Sequence, residues 1–258
     1  MVSTRPGLLE FSCAQRAELV RSFDQRYGEM ERVLWCLSKN SRAPLIDGRS
    51  SSVVEALVWT VKSWWGIQGV RSEARALIAQ ALADSEWSAA LFEEPPRVAD
   101  DAEEFAFDRV TSLVAQSMAL GLPRREFSLA SKVLHWLLPW RIPVYDGFVR
   151  QSLGLPVLPD HPEDAYRVIT RKLLAAARED AAEDCEWLGG LEPRAPLRGF
   201  DKCLWLSGGG SAGTAAEVKD PWRIVSRLGL DRSADIMTSN RRVRSRLARS
   251  HSPGSQLT

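Results

Sequence analysis

The sequence predicts an all-α fold. Apolar residues recur at three- and four-residue spacing along nearly every long segment, the period of a helix. No segment alternates apolar and polar residues in the manner of a strand. Clusters of Pro, Gly and Ser fall between the periodic segments, where helices have to stop. This punctuation divides the chain into roughly nine or ten helices.

Taken in order, residues 14–38 read as one or two helices with a possible break at Gly28. "SRAPLIDGRSSS" reads as a loop ending in serines able to cap the next helix. Residues 52–65, "SVVEALVWTVKSWW", are apolar almost all round, which marks a central helix packed on most sides. "GIQGV" is a turn, and Ser72 caps a helix running to about Ala83. Two prolines break the chain at "EEPPRVADD". A helix then runs from Asp100 or Asp101 to about Leu120, with Phe107, Val110 and Val114 on one face, and Gly121 and Pro123 stop it.

Further on, a long amphipathic helix starts at "HPED", where Glu163 and Asp164 suit the positive end of the helix dipole. "RGFDKCLWL" is a short helix packed by Phe200, Leu204 and Trp205, with its charges outside. "SGGGSAGTAAE" is a flexible linker and "DPWRIVSRLGL" the last helix. The division is one helical domain over 1–229 and a disordered basic tail over 230–258, with five Arg between 241 and 249. The tail is a solvated terminus or a phosphate-binding arm.

The 258 residues can bury a real core, and 45% hydrophobic with 26% charged residues is ordinary for a globular protein. A net charge of +1 exerts no global pull on nucleic acid or membrane, so any basic face is local. Cys13, Cys36, Cys185 and Cys203 form no C-x-x-C pair and read as buried free thiols, giving no zinc or cluster site; no metal or cofactor is expected. No apolar run is long enough to span a bilayer, the first residues lack a signal pattern, and a cytoplasmic location is expected.

One segment carries chemistry: "SLASKVLHWLLPWRIPVYDGFVRQSLG", residues 128–154. On a helical wheel Leu129, Ala130, Val133, Leu134 and Leu137 share one broad core face. Ser131, Lys132, His135 and Trp136 fall opposite. Only six of the 34 basic residues are Lys, and a lysine in apolar surroundings is the one basic side chain that can act as an amine nucleophile. Pro139 and Pro143 impose an extended connection, and Asp146 is placed to cap the helix that follows. Without further context, Lys132 reads as a surface charge and Asp146 as a cap alone.

The segment resembles the catalytic core of the helix–hairpin–helix DNA glycosylases, the 8-oxoguanine glycosylase fold in particular. That family opens a helix with a glycine hairpin followed by a Lys, then runs through an extended proline–valine–aspartate. Here Ser128 to Val133 stand over the hairpin and lysine, and Ile142-Pro143-Val144-Tyr145-Asp146 over the aspartate motif, with Val149 and Arg150 continuing it. The resemblance covers residues 50–155. Both hairpin glycines are replaced, by Ser128 and Ala130, and the Lys-to-Asp spacing is shorter than usual.

The resemblance implies a two-lobed helical bundle that binds DNA and excises a damaged base flipped out of the stack. It implies Lys132 as nucleophile, with possible lyase activity, and Asp146 as the carboxylate that steadies charge on the sugar. Trp136, Trp140, Tyr145 and His135 would then hold the base. Ser128, Ser131, Arg141 and Arg150 would hold phosphates. The alternative is a non-catalytic helical nucleic-acid- or protein-binding protein that keeps the fold only.

Overall fold

The computed structural model describes residues 11–64, 72–84, 102–123, 125–155, 162–182, 196–207 and 222–230. All the regular elements among them are helices: α1 (Cys13–Ile46), α2 (Ser52–Trp64), α3 (Ser72–Ala83), α4 (Ala102–Ala119), α5 (Phe127–Leu137), α6 (Gly147–Ser152), α7 (Pro162–Ala182), α8 (Pro196–Ser207) and α9 (Trp222–Arg227). The turn at 66–70, the proline pair near 95, the linker after Ser207 and the tail beyond Leu230 lie outside the described residues.

The longest element departs from expectation. α1 is one continuous helix of 34 residues, in place of a helix that breaks at Gly28 or ends at Ser38. Its start is fixed by a capping box: Ser12 Oγ accepts from the Gln15 backbone N–H, and Gln15 Oε1 accepts from that of Ser12. Gly28 is buried inside it. Pro44 sits in the last turn, where a missing N–H costs one intrahelical bond, and the full burial of Leu45 and Ser41 holds that turn in place. Gly48, at φ 65°, then turns the chain toward α2, a conformation that suits a residue without a Cβ.

α1 lies against α2, α5 and α8, and touches α3 and α9. α4 packs between α3, α5 and α7, while α6 sits on α8 and α7. One hydrophobic core runs through all of these, from Val20 on α1 to Val225 on α9. α2 behaves as its composition implies, with Val54, Leu57, Val58 and Val61 buried. α4 ends at Gly121, whose φ of 104° is closed to most side chains.

α5 is buried on every side, not on one face. From Leu129 to Leu137 each residue is shielded from solvent. The polar stripe expected opposite the core is therefore itself inside the protein. Nor does a hairpin occupy residues 128–130: these are already the first turn of α5.

Candidate functional site

The polar residues of α5 are used to hold the connection that follows it. Ser131 Oγ accepts from the Tyr145 N–H at 3.0 Å, and the Nδ1–H of His135 donates to Ile142 O at 2.7 Å. These two side chains, one helical turn apart, bind the extended 142–145 stretch by its backbone. From the other side Tyr166 on α7 donates its hydroxyl to Pro143 O at 3.1 Å. The C-terminal end of α5 leaves carbonyls without intrahelical partners. Ser38 Oγ on α1 donates to Trp136 O, and Arg42 donates to Leu137 O at 3.3 Å.

This anchoring brings Lys132 and Asp146 together. Lys132 Nζ lies 3.3 Å from Asp146 Oδ2, and the two side chains are only 4% and 6% exposed. The other carboxylate oxygen of Asp146 accepts from the Val149 N–H at 2.8 Å and caps α6. One aspartate thus serves as cap and as partner of the lysine. Lys132 is not a surface charge. Burial drives its amine below the usual lysine range; Arg198 pushes the same way, and Asp146 opposes both.

Arg198 belongs to a second buried group. It grips Glu31 at two points, with Nε 3.1 Å from Oε2 and Nη2 against Oε1, and its Nη1 holds Asp201 Oδ2. Lys202 lies 2.6 Å from Asp24 Oδ1 and 3.6 Å from Glu31 Oε2. Arg198 also stacks between aromatic rings, 4.9 Å from the centre of Trp136 and 5.3 Å from that of Phe23. Burial raises the Glu31 carboxyl, but Arg198 and Lys202 outweigh it and hold the group below its ordinary value. These charges were expected on the outside of α8; Arg198, Asp201 and Lys202 are all at most 1% exposed. Their i, i+3, i+4 spacing, continued by Trp205 at i+7, puts them on one face against α1. That spacing, inside so apolar a stretch, was the available signal.

Other expected site residues stand differently. Trp136 is fully buried, edge-on to Trp35 at 5.0 Å, and in this conformation has no face free for a base. Trp140 is 8% exposed with Arg42 over its ring, and Tyr145, also 8% exposed, packs on Phe127 and Tyr166 beside the pair. His135 is wholly buried; burial first, then Arg198, pushes its imidazole down to about 3, so it is neutral. Ser131 is spent on backbone and is inaccessible to a phosphate. Arg141 lies under Phe105, its guanidinium carbon 3.8 Å from that ring's centre, and is 7% exposed. Arg150 is half-buried over Tyr145, and Ser128 is half-buried in the first turn of α5.

Among the described residues no group of three or more His, Cys, Asp or Glu is placed to hold a metal ion. No described helix is long and apolar enough to cross a membrane. Cys36 and Cys203 are buried free thiols as expected, whereas Cys13 is disulfide-bonded. Comparison with protein-family models, with curated proteins and with solved structures gives no match.

Proposed function

We propose that this chain is a two-lobed, glycosylase-like DNA-repair enzyme in which Lys132 and Asp146 are the reacting pair. One observation carries the reading: a buried lysine with depressed basicity, 3.3 Å from a carboxylate whose position is fixed by capping. A neutral amine is a nucleophile, and burial shifts Lys132 toward that form. In the proposed reaction Lys132 Nζ attacks the anomeric carbon of a deoxyribose while the bond to the base breaks. The base leaves with the electron pair and takes up a proton. The amine's own proton passes to Asp146, leaving an aminal; the ring C1′–O4′ bond then breaks, O4′ takes up that proton, and the opened sugar stays joined to Lys132 as an iminium.

The near-complete burial of the pair favours a second reading. An ion pair between α5 and the start of α6 serves a non-catalytic binding protein as well. Borohydride trapping separates the two. Wild type and Lys132→Gln are incubated with duplex and single-stranded oligonucleotides carrying damaged bases or abasic sites. A covalent adduct present in wild type and lost in the variant supports the enzyme. Absence of an adduct on every substrate, with circular dichroism showing folded protein, rejects it.

A further inference from the structure

The second half of α1 presents a face charged in one sense only. From Arg32 to Ile46 the chain holds Arg32, Lys39 and Arg42 and neither Asp nor Glu. Arg32 and Lys39 are exposed and Arg42 is half-buried. Seven residues, about two helical turns, separate Arg32 from Lys39, so both stand on one ridge about 10 Å apart along the axis. Arg42 follows Lys39 by three positions and flanks the same ridge. It is already held in place, donating to Leu137 O with its guanidinium over the Trp140 ring.

The carboxylates nearest in sequence do not neutralise this face. Glu31 is buried and gripped by Arg198. Asp47, past the helix end, pairs with Arg49 at 2.5 Å. Glu29 is exposed one turn before Arg32. Among the described residues neither Arg32 nor Lys39 forms an ion pair. The first half of α1 differs, because there Arg21 meets Glu18 at 2.8 Å. Nor do these cations serve the helix's own dipole, whose effect is confined to the last turn, and that turn holds no basic residue. With a net charge of only +1 over the chain, this excess is local.

The surroundings of the ridge select its partner. The exposed large apolar side chains among the described residues are Trp59, Met118, Leu120 and Val168, none of them on α1. A protein partner needs an apolar centre to its interface, and a membrane surface needs apolar side chains to take in. A nucleic-acid backbone needs only cations and donors. We propose that Arg32, Lys39 and Arg42 form a contact surface for the phosphate backbone of a nucleic acid. The contact reads no base sequence, because the phosphates repeat identically. It rests on the nucleic-acid partner of the proposed function but not on the chemistry of Lys132.

Fluorescence anisotropy of the full chain with labelled duplex and single-stranded DNA, from about 50 to 200 mM NaCl, tests this. Arg32→Gln/Lys39→Gln should weaken binding about tenfold or more near 0.1 M salt, equally for unrelated sequences. It should also reduce the salt slope by about two. Both changes replace exposed side chains, so circular dichroism should be unaltered. Arg223→Gln/Arg227→Gln on α9 removes the same charge from exposed positions elsewhere and should bind as wild type does. Wild type that binds without forming a borohydride adduct rejects the enzyme and leaves this inference standing. No binding by wild type at 50 mM salt, unchanged binding by the ridge variant, or an equal loss in the α9 control overturns it. Sedimentation with phosphatidylserine vesicles in place of DNA binding overturns it in favour of a membrane surface.

Discussion

Arg198 and Glu31, 167 positions apart in the sequence, meet as a two-point ion pair that water does not reach. The same guanidinium holds Asp201 and bears on Lys132 and His135. It links the candidate pair on α5 to the buried charges of α1 and α8.

Arg198→Met should therefore be among the most damaging single changes. It leaves two carboxylates buried beside an apolar side chain, and loss of one partner of such a group costs about 3–5 kcal/mol. The double variant Glu31→Gln/Arg198→Met should be more stable than Arg198→Met alone. Urea denaturation of the three proteins measures both effects; equal midpoints for the single and double variants would contradict the arrangement.

His135 predicts an acid sensitivity with a definite sign. Its pKa lies at about 3 in the folded protein, against an ordinary value of 6.5. The unfolded chain thus takes up the proton first. The stability from a neutral His135 is fully present above pH 6.5 and is lost as pH falls through that value toward 3. By pH 5 the loss is about 2 kcal/mol. Denaturation at pH 7.5 and pH 5 should show a smaller difference for His135→Gln than for wild type.

The double duty of Asp146 can be split by two substitutions. Asp146→Asn retains an oxygen for the Val149 N–H and removes the charge facing Lys132. Asp146→Ala removes both, and loss of the cap costs about 1 kcal/mol. Thermal melts should place the alanine variant below the asparagine variant. Borohydride adducts, if wild type forms them, should fall sharply in both. An asparagine variant trapped as fast as wild type would reduce the aspartate to a cap.

Lys132 should display its lowered basicity in kinetics. An ordinary lysine gains nucleophilicity up to its pKa near 10.5. With a depressed pKa, single-turnover trapping should rise with pH and level off below that value. A rate still climbing at pH 10 would show an amine of ordinary basicity.

Much of the helical order was legible because it depends on local pattern. α2, α3, α4 and α8 fall close to the segments their periodicity marked, and Gly121 and Asp146 end and begin helices as their chemistry dictates. The pairing of Lys132 and Asp146 is what the resemblance implies; the prolines by themselves indicate only an extended connection. What escaped was burial of charge. A wheel drawn for α5 places Ser131 and His135 opposite the leucines, but it cannot show that the neighbouring chain stretch needs their hydrogen bonds. Arg198, Asp201 and Lys202 looked solvent-facing because their partners on α1 are remote in sequence. The stretch from Ser41 reads as a loop; the buried Leu45 beside Pro44 explains why the helix continues to Ile46.

The distance between Glu31 and Arg198 along the chain also governs how the protein is made. At translation speeds of about 5–20 residues per second, on the order of ten seconds or more separate the two residues at the ribosome. Through that interval α1 has a carboxylate on the face meant for the core and no cation to meet it. Its native docking has to wait for α8. A nascent chain stopped before Pro196 would expose the aromatic side of α1 and be a client for chaperones. For the same reason residues 50–155, the stretch that resembles a catalytic core, are not separable from the rest: expressed alone, they lack both helices that complete their electrostatics.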